Sequence, residues 1–241
     1  SIPAFATRKI LTHNGTAGAT FPTAAQTSVL TPDIADYLRG DRSKEQPDTT
    51  PSTGRIYRQR TSLLGTIVDS SPTYVKASDG TETVYAGAND GMMHAFDANT
   101  GVERFAYVPR GLDLDELKTF SEPNFSHAFF VDGPIITSTQ RELLSKTILV
   151  GTLGRGGKGL YALDVTDPTA FNATKVLWDK NGASDNDMGQ ILSKPLIAKL
   201  NDGSTALIVS NGLNSSSENA VLYIFDLETG TEEVLDAPDG V

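Results

Sequence analysis

Three groups of side chains in this sequence have the types and spacing for site chemistry. Asp179-Lys180-Asn181-Gly182, followed by Asp185 and Asp187, sets oxygen-bearing residues near alternate positions. A loop that wraps a hard cation such as calcium uses that spacing, with a glycine at its sharp turn. Here Gly182 comes two residues too early and Ala183 stands where a ligand is needed. Asp179, Asn181, Asp185 and Asp187 therefore read first as a solvated acidic turn and second as an incomplete metal loop. Gly154-Arg155-Gly156-Gly157-Lys158-Gly159 has the glycines and lysine of a phosphate cradle, but such a cradle opens a helix. The next residues, Leu160-Tyr161-Ala162-Leu163, are a β run, so a glycine-rich hairpin is the better reading. Arg39-Gly40-Asp41 is an integrin-binding tripeptide in other contexts. At the end of a short helix, with Arg58 and Arg60 expected nearby, it reads first as part of a structural ion pair.

No catalytic constellation accompanies these groups. His13, His94 and His127 are far apart and form no His-x-x-x-His or Glu-x-x-His pair. No serine sits in a Gly-x-Ser-x-Gly elbow. With no cysteine, the chain has no disulfide, thiolate metal site or cysteine nucleophile. The net charge of −10 disfavours nucleic acid and anionic lipid as general partners. No stretch approaches the roughly 20 apolar residues of a membrane-spanning helix. The opening SIPAFATRKI lacks a signal peptide's apolar segment. The chain is accordingly expected to be cytoplasmic, already processed, or cut from something longer.

The elements that must position these residues are organised around Thr83 to Val108. This stretch is a run of apolar β-formers, an Asn89-Asp90-Gly91 turn, a second run through Phe96, a turn at Asn99-Thr100-Gly101, and a third run. Short runs separated by turn residues that tolerate positive φ predict a meander of antiparallel strands. The pattern recurs over Lys146 to Asp179 and Thr205 to Val234, and Asp97, Asp164 and Asp226 mark it at spacings of 67 and 62 residues. Ser70-Ser71-Pro72, Asp132-Gly133-Pro134 and Ser193-Lys194-Pro195 each begin an inner strand, proline taking the first position. The unit is thus four-stranded.

Repeated four-stranded sheets predict an all-β, β-propeller fold in a single domain over 1–241, with repeat units at about 61–110, 127–179 and 189–236. Residues 1–60 supply a strand at Arg8 to Thr12 and a helix at Ile34 to Leu38, capped by Thr31 and ended by Gly40. Asp41 to Gly54 reads as a flexible loop and Asp113 to Phe120 as a short inserted helix. Trp178 is expected to pack between blades. Three units fall short of the four to eight blades of most propellers. Either the ring continues past Val241, or the first 60 residues hold unrecognised strands; a partial ring would expose the faces of its end blades.

The segment VYAGANDGMMHAFDANTG resembles blades of the quinoprotein dehydrogenases. A more specific resemblance covers roughly Asp36 to Gly230. It runs through Tyr37-Leu38-Arg39-Gly40-Asp41-Arg42-Ser43, Arg58-Gln59-Arg60, Ser70-Ser71-Pro72, Tyr107-Val108-Pro109, His127 with Phe130-Val131-Asp132-Gly133, and Tyr161-Ala162-Leu163-Asp164-Val165-Thr166-Asp167-Pro168. In that order these motifs are similar to the C-terminal domain of the PilC/PilY family, adhesin and biogenesis factors of type IV pili. The resemblance implies a modified, partial propeller and a non-enzymatic role: joining minor pilins and other tip components in priming the filament, opposing retraction, supporting twitching motility and virulence, and contacting host or abiotic surfaces. It implies a place at the cell surface, at the pilus tip, after export through the periplasm. Several members carry a calcium loop that controls extension and retraction, and it is not found in this chain. The insertions Asp41 to Gly54 and Asp113 to Asn124 are the candidate contact regions, each expected to be dispensable for folding. The alternative, a quinone-dependent dehydrogenase propeller, is disfavoured by the absence of cysteine and the single tryptophan, and no quinone is expected.

Overall fold

The computed structural model describes residues 1–47, 54–139 and 141–236. Three antiparallel sheets are stacked face to face. The first contains β3 (Thr73–Lys76), β4 (Glu82–Ala88), β5 (Met92–Asp97) and β6 (Glu103–Val108). The second contains β7 (Ile135–Thr137), β8 (Ile148–Thr152), β9 (Gly159–Asp164) and β10 (Val176–Asn181). The third contains β11 (Leu196–Lys199), β12 (Thr205–Ser210), β13 (Val221–Asp226) and β14 (Glu232–Asp236). Each is a four-stranded meander in chain order, as the repeat predicts. The three inner strands begin just after Pro72, Pro134 and Pro195, so each proline precedes its strand instead of opening it.

Among the described residues, those N-terminal to β3 add strands to the first sheet and build no further one. β1 (Ile10–His13) lies parallel to β6, with Ile10 opposite Ala106 and Thr12 opposite Val108, and β2 (Gly18–Thr20) pairs antiparallel with β1. Helix α1 spans Pro32–Arg39. Thr31 caps its start, Pro32 fills the first turn, and Gly40 closes it in the left-handed region at φ 115°. Helix α2 (Leu114–Thr119) is capped by Asp113, whose carboxylate accepts from the N–H groups of Asp115 and Glu116.

Strand periodicity reports each sheet's surroundings. β9 is buried at every position because sheets cover both its faces. Along β13, Val221, Tyr223 and Phe225 are buried against the second sheet, while Leu222 is exposed and Ile224 half-buried on the opposite face. One core joins the first and second sheets through Tyr85, Met93, Ala95, Phe105, Leu149 and Tyr161. A second joins sheets two and three through Ile148, Val150, Trp178, Leu207, Tyr223 and Phe225. Trp178 stacks on Phe225 at 5.5 Å between ring centroids and its Nε1–H donates to the Leu227 carbonyl at 3.1 Å, so it does pack between blades. Phe105 holds the equivalent place in the first sheet, stacked on Phe171 at 3.7 Å.

The repeated aspartates shape the turns. Asp97 accepts from the N–H groups of Asn99 and Thr100 at 2.9 and 2.8 Å, and Asp226 does the same for Glu228 and Thr229 at 3.1 and 2.8 Å. These side-chain bonds mimic a backbone turn, which explains why Asp recurs there.

Candidate functional site

Met92 and His94 alternate with Met93 and Ala95 along β5, so they point away from the second sheet. Among the described residues no neighbouring sheet covers that face. It is sealed by the N-terminal residues and a buried charge cluster. The carboxylate of Glu103 accepts from Arg8 Nε and Nη2, each at 2.7 Å, and lies 2.7 Å from His94 Nδ1. Nε2 of His94 lies 3.1 Å from both oxygens of Asp90. Ionised carboxylates only accept, so both ring nitrogens donate and the imidazole is protonated. Burial alone would push His94 down, but Asp90 and Glu103 hold it up at about 9. Burial raises the Glu103 carboxyl, and His94 with Arg8 brings it down to about 2. Burial likewise acts upward on Asp90, and His94, the Gly65 N–H and Arg8 leave it below the usual carboxylate range. Two cations thus balance two anions in direct contact.

The cluster also ties segments together. Arg8 Nη1 donates to the Arg39 carbonyl at 2.8 Å, anchoring the end of α1, and Asp90 accepts from the Gly65 N–H at 2.9 Å. His94 sits on β5, Glu103 opens β6 and Asp90 belongs to the turn before β5; the sequence marks His94 as a lone histidine and Asp90 as a turn residue. Arg8 carried no such signal, because Glu103 lies far from it in sequence.

Next to this cluster Arg58 and Arg60 link the two candidate contact segments, Arg58 touching Asp113 to Asn124 and Arg60 touching Glu45 in the described part of Asp41 to Gly54. The backbone N–H of Arg58 donates to Ser121 O at 2.8 Å, and its guanidinium lies 4.5 and 4.8 Å from the rings of Phe120 and Phe125. Arg60 binds Glu45 at 2.6 Å and donates to the carbonyls of Tyr37 and Asp41 at 2.7 and 2.8 Å. These contacts correct the ion pair expected of Arg39-Gly40-Asp41. Arg39 pairs with Asp36 at 3.1 Å, and the Asp41 carboxylate accepts from the Ser43 N–H at 2.9 Å instead of meeting Arg58 or Arg60. All three tripeptide residues are half-buried.

The expectation that Asp113 to Asn124 is dispensable for folding also needs correction. Leu117 and Phe120 are buried; Leu117 lies against Gly91, and Phe120 packs with Tyr37, Phe125 and Phe130. Much of Asp41 to Gly54 lies outside the described residues, which resume at Gly54.

The four oxygen-bearing residues of the metal-loop candidate divide between two environments. Asp179 and Asn181 are buried on β10, so Asp179 is no part of a solvated turn. Asp179 accepts from Tyr107 O–H at 2.6 Å and from the Arg110 N–H at 2.9 Å, bridging the first and second sheets. Burial pushes its carboxyl up to about 6 against the pull of those two donors. Asp185 accepts from Tyr223 O–H at 2.5 Å, and Asp187 accepts from Asn219 at 3.4 Å. Among the described residues, no three His, Asp or Glu side chains gather in metal-binding geometry.

Stacked four-stranded meanders joined by aromatic contacts define the blades of a β-propeller, here in an unclosed arrangement. The PilY1 beta-propeller domain family matches residues 58–236. A type IV pilus biogenesis factor PilY1 homolog of Xylella fastidiosa is 42% identical over 221 residues, covering 81% of this chain and 17% of that protein. The type IV pilus biogenesis factor PilY1 of Pseudomonas aeruginosa strain PAK is 37% identical, covering 82% of this chain and 18% of its own length. The crystal structure of the Pseudomonas aeruginosa PilY1 C-terminal domain superposes with a TM-score of 0.51 at 36% identity, over 66% of this chain and 31% of that one. The chain belongs to the PilY1 β-propeller family. It spans under a fifth of the length of these curated relatives.

Proposed function

We propose that this chain is a non-enzymatic module of a type IV pilus tip adhesin and assembly factor. In this reading it promotes pilus biogenesis with minor pilins, opposes retraction, and contacts host or abiotic surfaces from the pilus tip. The observation that carries the reading is the family match over residues 58–236 on a stack of rigid blades. The geometry supports a scaffold role, because interlocked sheets hold the surface segments in fixed relation while those segments remain free to vary. Asp41 to Gly54 and Asp113 to Asn124 are the segments assigned to contact, with exposed Asp115 and half-buried Lys118 on α2 of the second. Arg39-Gly40-Asp41 overlaps the first of them at Asp41. Calcium enters this reading as a property of other family members, and no residue here is assigned to it. Among the described residues no helix is long and apolar enough to cross a membrane.

The test is an in-frame deletion of residues 58–236 in the encoding bacterium, with surface pilin measured in retraction-competent and retraction-deficient cells. The reading expects surface pilin to fall sharply in the first background and to recover partly in the second. Unchanged surface pilin in both would sink it.

A further inference from the structure

The Gly154–Gly159 stretch builds no phosphate cradle, yet it projects two cations to one place. A 3-10 turn at Gly154–Gly156 connects β8 to β9 and leaves Arg155 exposed and Lys158 half-buried at the rim. Arg110, two residues beyond β6, arrives beside them because its backbone N–H is fixed by Asp179. With Gly111, Gly157 and Gly182 these cations line a cleft of about 490 Å³. Among the described residues Arg110 and Lys158 form no ion pair, and Arg155 stands 3.7 Å from Asp69 with both side chains over half exposed. Such a pair is weak. On a chain of net charge −10, three cations lining one cleft, two of them in no ion pair among the described residues and the third in a weak exposed one, attract an external anion.

Two carboxylates select the kind of anion. Asp113 and Glu116 line the same cleft as the cations. The Asp113 carboxylate is engaged in capping α2. Glu116 is exposed, so its negative charge is in reach of a bound anion. A compact multivalent anion would meet that charge, whereas an extended chain can place its carboxylates on the three cations and its amides beside Gly111, Gly157 and Gly182. We propose that this cleft binds an acidic peptide segment, with Arg110, Arg155 and Lys158 receiving its carboxylates.

The experiment is a backbone amide chemical-shift titration of the 241-residue chain with a capped tetrapeptide of alternating Asp and Glu, run in parallel with inorganic phosphate. The expected result is saturable shifts confined to residues 110–113, 155–158 and 182–183. Each of Arg110→Gln and Lys158→Gln should weaken peptide binding about five-fold, and added salt should weaken it further. Arg110 faces Gly15 and influences His13, so a variant melting below wild type is set aside and Lys158→Gln decides. The proposal is overturned if the peptide moves no amide of the cleft, or if Lys158→Gln binds it as tightly as wild type. Saturation by phosphate but not by peptide would also overturn it and make the cleft a free-anion site.

Discussion

Replacing Arg8 by Met is expected to destabilise the chain far more than a typical substitution. The change removes both hydrogen bonds to Glu103 and the one to the Arg39 carbonyl, and leaves Glu103, with 1% of its side chain exposed, facing His94 alone. The buried charge then shifts from balanced to one net anion beside Asp90. Removing one partner of a buried pair costs about 3–5 kcal/mol, because the survivor stays desolvated. For a chain of this size, about 2–4 °C of melting temperature per kcal/mol gives a fall of about 10 °C. Calorimetry measures it, and hydrogen exchange localises it: the amides pairing β1 with β6 should lose protection before those of the second sheet. Arg8→Met combined with Glu103→Leu should cost less than the sum of the single changes, since the orphaned carboxylate is gone. A loss below about 1 kcal/mol, or strict additivity, would refute the idea that these groups act as one buried unit.

Other perturbations probe the remaining joints. Trp178→Ala should cost about 3–5 kcal/mol and loosen the third sheet from the second, seen as selective loss of exchange protection in β12 and β13. Asp179 and His94 both have raised folded values of about 6 and 9, so each favours its protonated form in the fold. Stability contributed by Asp179 is present below its unfolded value and is lost as pH rises through about 6, and that from His94 is lost as pH rises through about 9. Asp179→Asn should therefore flatten the lower part of this decline, measured by denaturant midpoints across pH 4–9; an unchanged profile would count against its burial. Gly156→Ala should prevent soluble folding, since a Cβ there would collide with the backbone carbonyl of Phe130; a soluble, cooperatively melting variant would contradict that packing. Asp115→Lys with Lys118→Glu on the outer side of α2 should leave the melting temperature within about 2 °C of wild type while lowering adhesion in cells; unchanged adhesion would remove α2 from the contact surface.

The blades were legible because their signals are local. Asn89-Asp90-Gly91 and Asp97 to Gly101 specify turns through side-chain bonds and positive φ at Gly91 and Gly101, and alternation between them fixes the strands. Thr31, Pro32 and Gly40 bounded α1 for the same reason. The parallel pairing of β1 with β6 was not legible, since it depends on residues about a hundred positions apart with no turn to set register. Asp179 looked solvated beside Lys180 and Asn181, but β10 buries it against Tyr107 of another sheet. Leu117 and Phe120 looked like part of a surface insertion because a helix this short shows one face too briefly to reveal what it covers. Of the charge cluster, the sequence singled out His94 as a lone histidine and Asp90 as a turn residue, and only the fold brought Arg8 and Glu103 to them.

The central claim, a propeller module that works at the pilus, is tested most directly by locating the chain on cells. Immunogold labelling with antibody raised against residues 58–236 should place gold at the ends of surface filaments and recover the protein with sheared pili. Label confined to the cell body, with none in the sheared fraction, would contradict the assignment.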